Sequence, residues 1–109
     1  MSILTSSPDF LAFVLDLLRE APEVTFRRMM GEYVLYSRGA VFGGIYDDRF
    51  LLKVTPSSEN AFPSADRVSP YPGAQDMIMV DSEDAELIAR TIELMLPEIP
   101  TRPSRQRRS

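Results

Sequence analysis

Val24-Thr25-Phe26-Arg27-Arg28-Met29-Met30-Gly31-Glu32-Tyr33-Val34-Leu35-Tyr36-Ser37-Arg38-Gly39-Ala40-Val41-Phe42-Gly43-Gly44-Ile45-Tyr46-Asp47-Asp48-Arg49-Phe50-Leu51-Leu52-Lys53-Val54-Thr55 decides the fold. Its β-forming residues come in four runs: Val24 to Met30, Tyr33 to Ser37, Val41 to Tyr46 and Arg49 to Thr55. Gly31-Glu32, Arg38-Gly39 and Asp47-Asp48 separate them. Short runs rich in β-branched and aromatic residues, cut by Gly or Asp, predict strands joined by tight hairpin loops. Strands joined so closely pair with their sequence neighbours, which gives an antiparallel meander. In the first run Val24, Phe26 and Met30 share one face, with Arg28 intruding, and Thr25, Arg27 and Met29 share the other. In the fourth, Phe50, Leu52 and Val54 alternate with Leu51, Lys53 and Thr55. Gly43-Gly44 lies inside the third run, where glycine marks either a bulge or a close approach by a ligand or partner backbone.

Helices flank this sheet. Ser7-Pro8 is a cap followed by a first-turn proline. Phe10, Phe13, Val14, Leu17 and Leu18 then recur at helical spacing, until Ala21-Pro22 ends about four turns. Pro56-Ser57-Ser58 stops the sheet, Glu59 to Phe62 makes one helical turn, and the chain through Tyr71-Pro72-Gly73 is loop. Met77 to Val80 is a fifth, short strand. Asp81 or Ser82 caps a second long helix with the apolar stripe Ala85, Ile88, Ile92, Met95 and Leu96, ended by Pro97. The expected architecture is α+β: an antiparallel meander sheet of about five strands with the N- and C-terminal helices packed on one face. It fills residues 1–100, and 101–109 form a disordered basic tail of mostly Pro, Ser and Arg.

With 109 residues there is room for one domain, and a 44% apolar content supplies its core without disulfide or metal. The start has no basic region, and the apolar run Phe10 to Leu15 is too short for a signal core or membrane span. A cytoplasmic protein without membrane contact is expected. Twelve basic against sixteen acidic residues give a net charge of −4. Arg102, Arg105, Arg107 and Arg108 lie in the tail, so the remaining eight basic residues leave residues 1–100 at −8. Such a body repels nucleic acid, and only the four tail arginines give it a weak, unspecific hold.

The chain has no His and no Cys, and with them go the commonest general base, nucleophile and metal ligands. No phosphate loop or nucleophile elbow is present. Carboxylates, Tyr, Arg and one lysine remain. Asp47-Asp48 is either turn chemistry or part of an oxygen-ligand metal site, the turn being the simpler reading. Glu32 either pairs with Arg27 or Arg28 or accepts hydrogen bonds from a ligand. Lys53 faces outward, either solvated or paired across the strands, or lining a shared surface with Arg28 and Glu32. Met29, Met30, Met77, Met79 and Met95 fill the core or give an adaptable contact surface. Leu51 and Met29 make the outer sheet face apolar, which implies a partner or a second copy over it.

The stretch Arg27-Arg28-Met29-Met30-Gly31-Glu32-Tyr33-Val34-Leu35-Tyr36 resembles the opening motif of the TfoX/Sxy N-terminal domain family. So do Gly39-Ala40-Val41-Phe42 and Asp47 through Thr55, and Tyr71-Pro72-Gly73-Ala74 with Leu96-Pro97 is similar to its stand-alone members. Met30 stands where the family usually has Phe, and Val54 where stand-alone members often have Pro. The resemblance implies an α/β fold with a meander sheet and a link to competence regulation, since the two-domain members are competence regulators. The expected function is a non-enzymatic protein-interaction or regulatory module with no cofactor and no bound metal. The alternatives are a small-molecule-binding domain or a weak nucleic-acid binder acting through the tail. Expected contacts are Arg27, Arg28, Gly31, Glu32, Tyr33, Lys53 and Tyr71, with a protein partner and a homodimer as the assemblies.

Overall fold

The computed structural model describes residues 7–99, so the tail expected at 101–109 lies outside the described residues. Helix α1 spans Pro8–Leu17, with the Ser7 side chain accepting from the Phe10 amide. Then come β1 (Val24–Met29), β2 (Glu32–Ser37), β3 (Ala40–Ile45) and β4 (Phe50–Leu52). Helix α2 (Pro56–Ala61), β5 (Arg67–Val68), β6 (Met77–Met79), α3 (Ala85–Met95) and a 3-10 turn at Leu96–Glu98 complete the chain. The sheet is antiparallel, with six strands in the order β1-β2-β3-β4-β6-β5. The α+β meander is therefore present through β4, and a returning hairpin slots β6 beside β4.

Three two-residue turns set the meander. Met30-Gly31, Arg38-Gly39 and Asp47-Asp48 all have positive φ at both positions. That is the geometry whose twist matches paired strands. The first turn sits one residue earlier than expected, at Met30-Gly31, so Glu32 already belongs to β2. Between β2 and β3 the register slips at Leu35/Tyr36, which leaves Phe42 as an extra residue. Phe42 fills the core while Gly43 passes under the neighbouring strand. A Cβ on Gly43 would lie 2.1 Å from the Leu51 carbonyl oxygen, so the glycine is sterically required. The glycine pair is thus a bulge, the simpler of its two readings.

One face of the sheet carries Leu35, Ile45, Phe50, Leu52 and Ile78 into a cluster with Val14 and Leu17 of α1 and Ile88, Ile92 and Met95 of α3. The α3 stripe is buried against that face, and α1 buries Val14, Leu17 and Leu18 while Phe13 stays exposed. Thr55 caps α2 by accepting from the Ser58 amide, while the Ser58 hydroxyl returns to the Thr55 amide, so α2 begins at Pro56 rather than Glu59. The cap of α3 is Asp84, not Asp81 or Ser82. Val80 still pairs with Phe50, so the chain must leave the sheet first, and the Ser82 hydroxyl is used on the Asp84 amide. No helix among the described residues is long and apolar enough to cross a membrane.

Candidate functional site

The outer face of the sheet is largely covered by the chain itself. Leu51 points to it, paired with Gly44 and Met79, and is 0% exposed. The Tyr46 ring folds back over Gly44, where a Cβ would come within 2.5 Å of it. The segment after β5 runs over the same face, so that Pro70 and Tyr71 share two clefts with Tyr46. The expectation that a partner covers Leu51 is corrected by this geometry. Leu51 is buried within the chain itself, and the Tyr71 loop on this face carries no periodic pattern that would announce which surface it crosses.

The first cleft, of about 700 Å³, opens at the corner of the sheet between the Met30-Gly31 turn and Tyr71-Pro72. Its walls are Met29, Met30, Val34, Tyr46 and Tyr71, with Glu32, Asp47 and Arg49 at the polar end. Met30 is 96% exposed and Met29 54% exposed. A methionine at the tip of a two-residue turn has nowhere to bury, and its positive φ costs about 1 kcal/mol. The Glu32 carboxylate accepts from the Asp47 amide at 3.2 and 3.3 Å, tying the first turn to the third. Asp48 accepts from the Ser7 amide at 2.8 Å and so fixes the start of α1 to the same corner. Both aspartates are thus turn and anchor groups. Among the described residues no three His, Cys, Asp or Glu side chains are grouped to hold a metal ion. Burial raises the Tyr46 phenol above its ordinary value of 10.0, and Tyr71, Glu32 and Tyr36 nearby add to the shift.

The second cleft, of about 580 Å³, lies further along the same face, between Lys53, Val41, Tyr46, Tyr71, Asp76 and Glu98. The Glu98 carboxylate accepts from the Ser57 hydroxyl at 2.6 Å and the Ser57 amide at 3.0 Å. These bonds hold it below the usual carboxylate range.

The expected contact residues therefore divide. Glu32 and Tyr71 line the first cleft and Lys53 the second, with Tyr46 and Tyr71 shared between them. Gly31 shapes the turn. Arg27 points to the outer face opposite Val34, but on the edge strand; Arg28 lies opposite Tyr33 on the other face. Tyr33 does not reach the surface: it is 4% exposed, in the core, edge-on to Phe26. Strand alternation from Leu35 would have placed it there. Tyr46, Arg49 and Pro72 were missed, though Tyr46 directly precedes the Asp47-Asp48 turn and so had to lie at the sheet's rim.

The TfoX N-terminal domain family model matches residues 16–92, which span every strand and the whole lining of the first cleft. The chain belongs to the TfoX N-terminal domain family. It is also 36% identical over 78 residues to a Spirochaeta aurantia protein described as an uncharacterized 12.7 kDa protein in the trpE 5′ region. The aligned part is 72% of this chain and 68% of that relative. No solved structure matches the chain. The matched span includes the bulge, the three turns and the Tyr71 loop.

Proposed function

We propose that the chain is a non-enzymatic protein-interaction module in a regulatory system, touching its partner at the corner cleft beside the Met30-Gly31 turn. The observation that carries this reading is Met30 itself, held almost wholly in water at the tip of a fixed turn. With Met29 it forms an unbranched, polarizable rim that adapts to a contacting surface. Tyr46 and Tyr71 behind it offer rigid rings with a polar tip, the residue type enriched where proteins meet. The cleft's ionisable groups are Glu32, Asp47, Arg49 and tyrosine, and the Glu32 carboxylate is engaged in holding the corner by accepting from the Asp47 amide. That set suits recognition better than proton transfer near neutral pH.

Affinity capture from the host with the wild-type chain, followed by a dissociation constant for the partner so identified, tests the proposal. The Met29→Ala/Met30→Asp double variant should bind that partner at least tenfold more weakly with its thermal midpoint unchanged. Equal affinity would remove the corner cleft as the contact surface.

A further inference from the structure

The sheet has two edges, and among the described residues one of them is open along its whole length. β1 pairs with β2 at six consecutive positions, and no described residue pairs with its other side. Thr25 through Met29 are all exposed, including Phe26 at 43%. No hydrogen bond to a neighbouring loop or side chain is made by this strand among the described residues. An outer row of backbone N–H and C=O groups beside exposed apolar residues is a template for an added strand.

Charge selects the occupant. Arg27 and Arg28 sit mid-strand on a body that is otherwise strongly acidic, and no acid lies between Glu23 and Glu32. Neither guanidinium has a carboxylate within ion-pair distance among the described residues, where the ion pairs are Arg19–Asp16 and Arg67–Glu59. A second copy pairing antiparallel about Phe26 or Arg27 would crowd four guanidinium groups into one strand pair with no acid to balance them. Two arginines neutralise at most about two phosphates, a shallow basis for nucleic acid on an acidic protein.

We infer that β1 takes an extended, acidic segment of a protein partner as a seventh strand. Arg27 and Arg28 point to opposite faces, and residues opposite each other in an antiparallel pair share a face. The segment should therefore carry two adjacent acids, one for each guanidinium, between apolar residues that meet Met29 and Phe26. Each arginine can grip its carboxylate through two parallel N–H bonds, which makes the match geometric as well as electrostatic. This inference rests on the reading of the chain as an interaction module, but it assigns the β1 edge, which shares Met29 alone with the corner cleft.

The experiment uses the full-length, isotope-labelled chain and three synthetic capped decapeptides at about 150 mM salt, near physiological ionic strength. One has Val-Glu-Asp-Val at its centre, one Val-Lys-Lys-Val, and one is the acidic peptide with proline at a central position. The acidic peptide should shift and protect the amides of Val24–Met29 and bind at least tenfold more tightly than the other two. In Arg27→Glu/Arg28→Glu the lysine peptide should become the tighter ligand. Equal binding of acidic and lysine peptides, or no exchange of preference in the reversed variant, would overturn the inference. Amide shifts confined to Glu32, Tyr46 and Tyr71 would also end it while leaving the cleft proposal standing. Concentration-dependent β1 shifts without peptide would give the edge to a second copy. β1 shifts produced by duplex DNA at that salt would give it to nucleic acid, and either result overturns the acidic-segment assignment.

Discussion

The two edges of the sheet face the same hazard and meet it differently. β5 is two residues long, and its arginine, Arg67, is paired with Glu59 of α2 at 2.6 Å. There is little left there for another strand to follow. β1 is three times as long, exposed from Thr25 to Met29, and its arginines have no such partner among the described residues. Charge on an exposed edge discourages pairing with like strands. It also leaves a preference for strands of opposite charge. One edge is closed by brevity and an internal ion pair; the other is guarded only against its own kind.

Both edges hang on the β3–β4 pair, so the most damaging change lies between them. Gly43→Ala should force a Cβ into the Leu51 carbonyl and cost about 3 kcal/mol, at the upper end for overpacking, because backbone cannot move aside cheaply. Urea unfolding should show it, and a loss under about 1 kcal/mol would mean that the bulge relaxes and the edges are less rigidly coupled than described. A smaller effect separates the edges directly. Arg67→Ala should cost about 0.5 kcal/mol, as for an exposed ion pair, and speed amide exchange in β5 and β6. Arg27→Thr/Arg28→Thr should change stability by no more than about that much, yet produce self-association at hundreds of micromolar in light scattering. A double variant that stays monomeric would show that charge is not what guards β1. The smallest effect concerns pH. Glu98 holds the N-terminus of α2, the helix that carries Glu59 toward β5. Its depressed pKa means that the bond to Ser57 stabilises fully above the ordinary value of 4.5 and is lost as pH falls through the lower native value. Glu98→Gln should flatten the fall of the thermal midpoint in that acid window, and identical acid slopes would assign the sensitivity elsewhere.

The sheet through β4 was legible because it is written in local chemistry: alternation, and Gly or Asp at turns that need positive φ. The bulge was legible from Gly43-Gly44 for the same reason. What could not be read depends on distant pairing. Arg67-Val68 has no alternation to mark it, and it becomes a strand only because β6 lies alongside. Asp81, Ser82 and Asp84 could each cap a helix, and the strand pairing of Val80 decides among them. At the site, Glu32, Lys53 and Tyr71 were named, but their division between two clefts is set by the path of the Tyr71 loop. Alternation with Leu35 places Tyr33 in the core although its motif marks a contact. Of the two readings of Met30, the turn beside Gly31 selects the exposed one.

The insertion of β6 between β4 and β5 also has a kinetic side. Strands β1 to β4 join through two-residue loops, so each pairing closes almost no chain and can form by zipping along the hairpins. β6 docks only after the chain from Lys53 to Asp76 has been closed. Until then the far side of β4, with Leu51 and Leu52 on it, is an unsealed hydrophobic seam. During synthesis, the strand that seals this seam and α3 leave the ribosome after β1 to β4. The nascent chain therefore passes through an interval in which its stickiest surface is the one that the finished protein hides most completely.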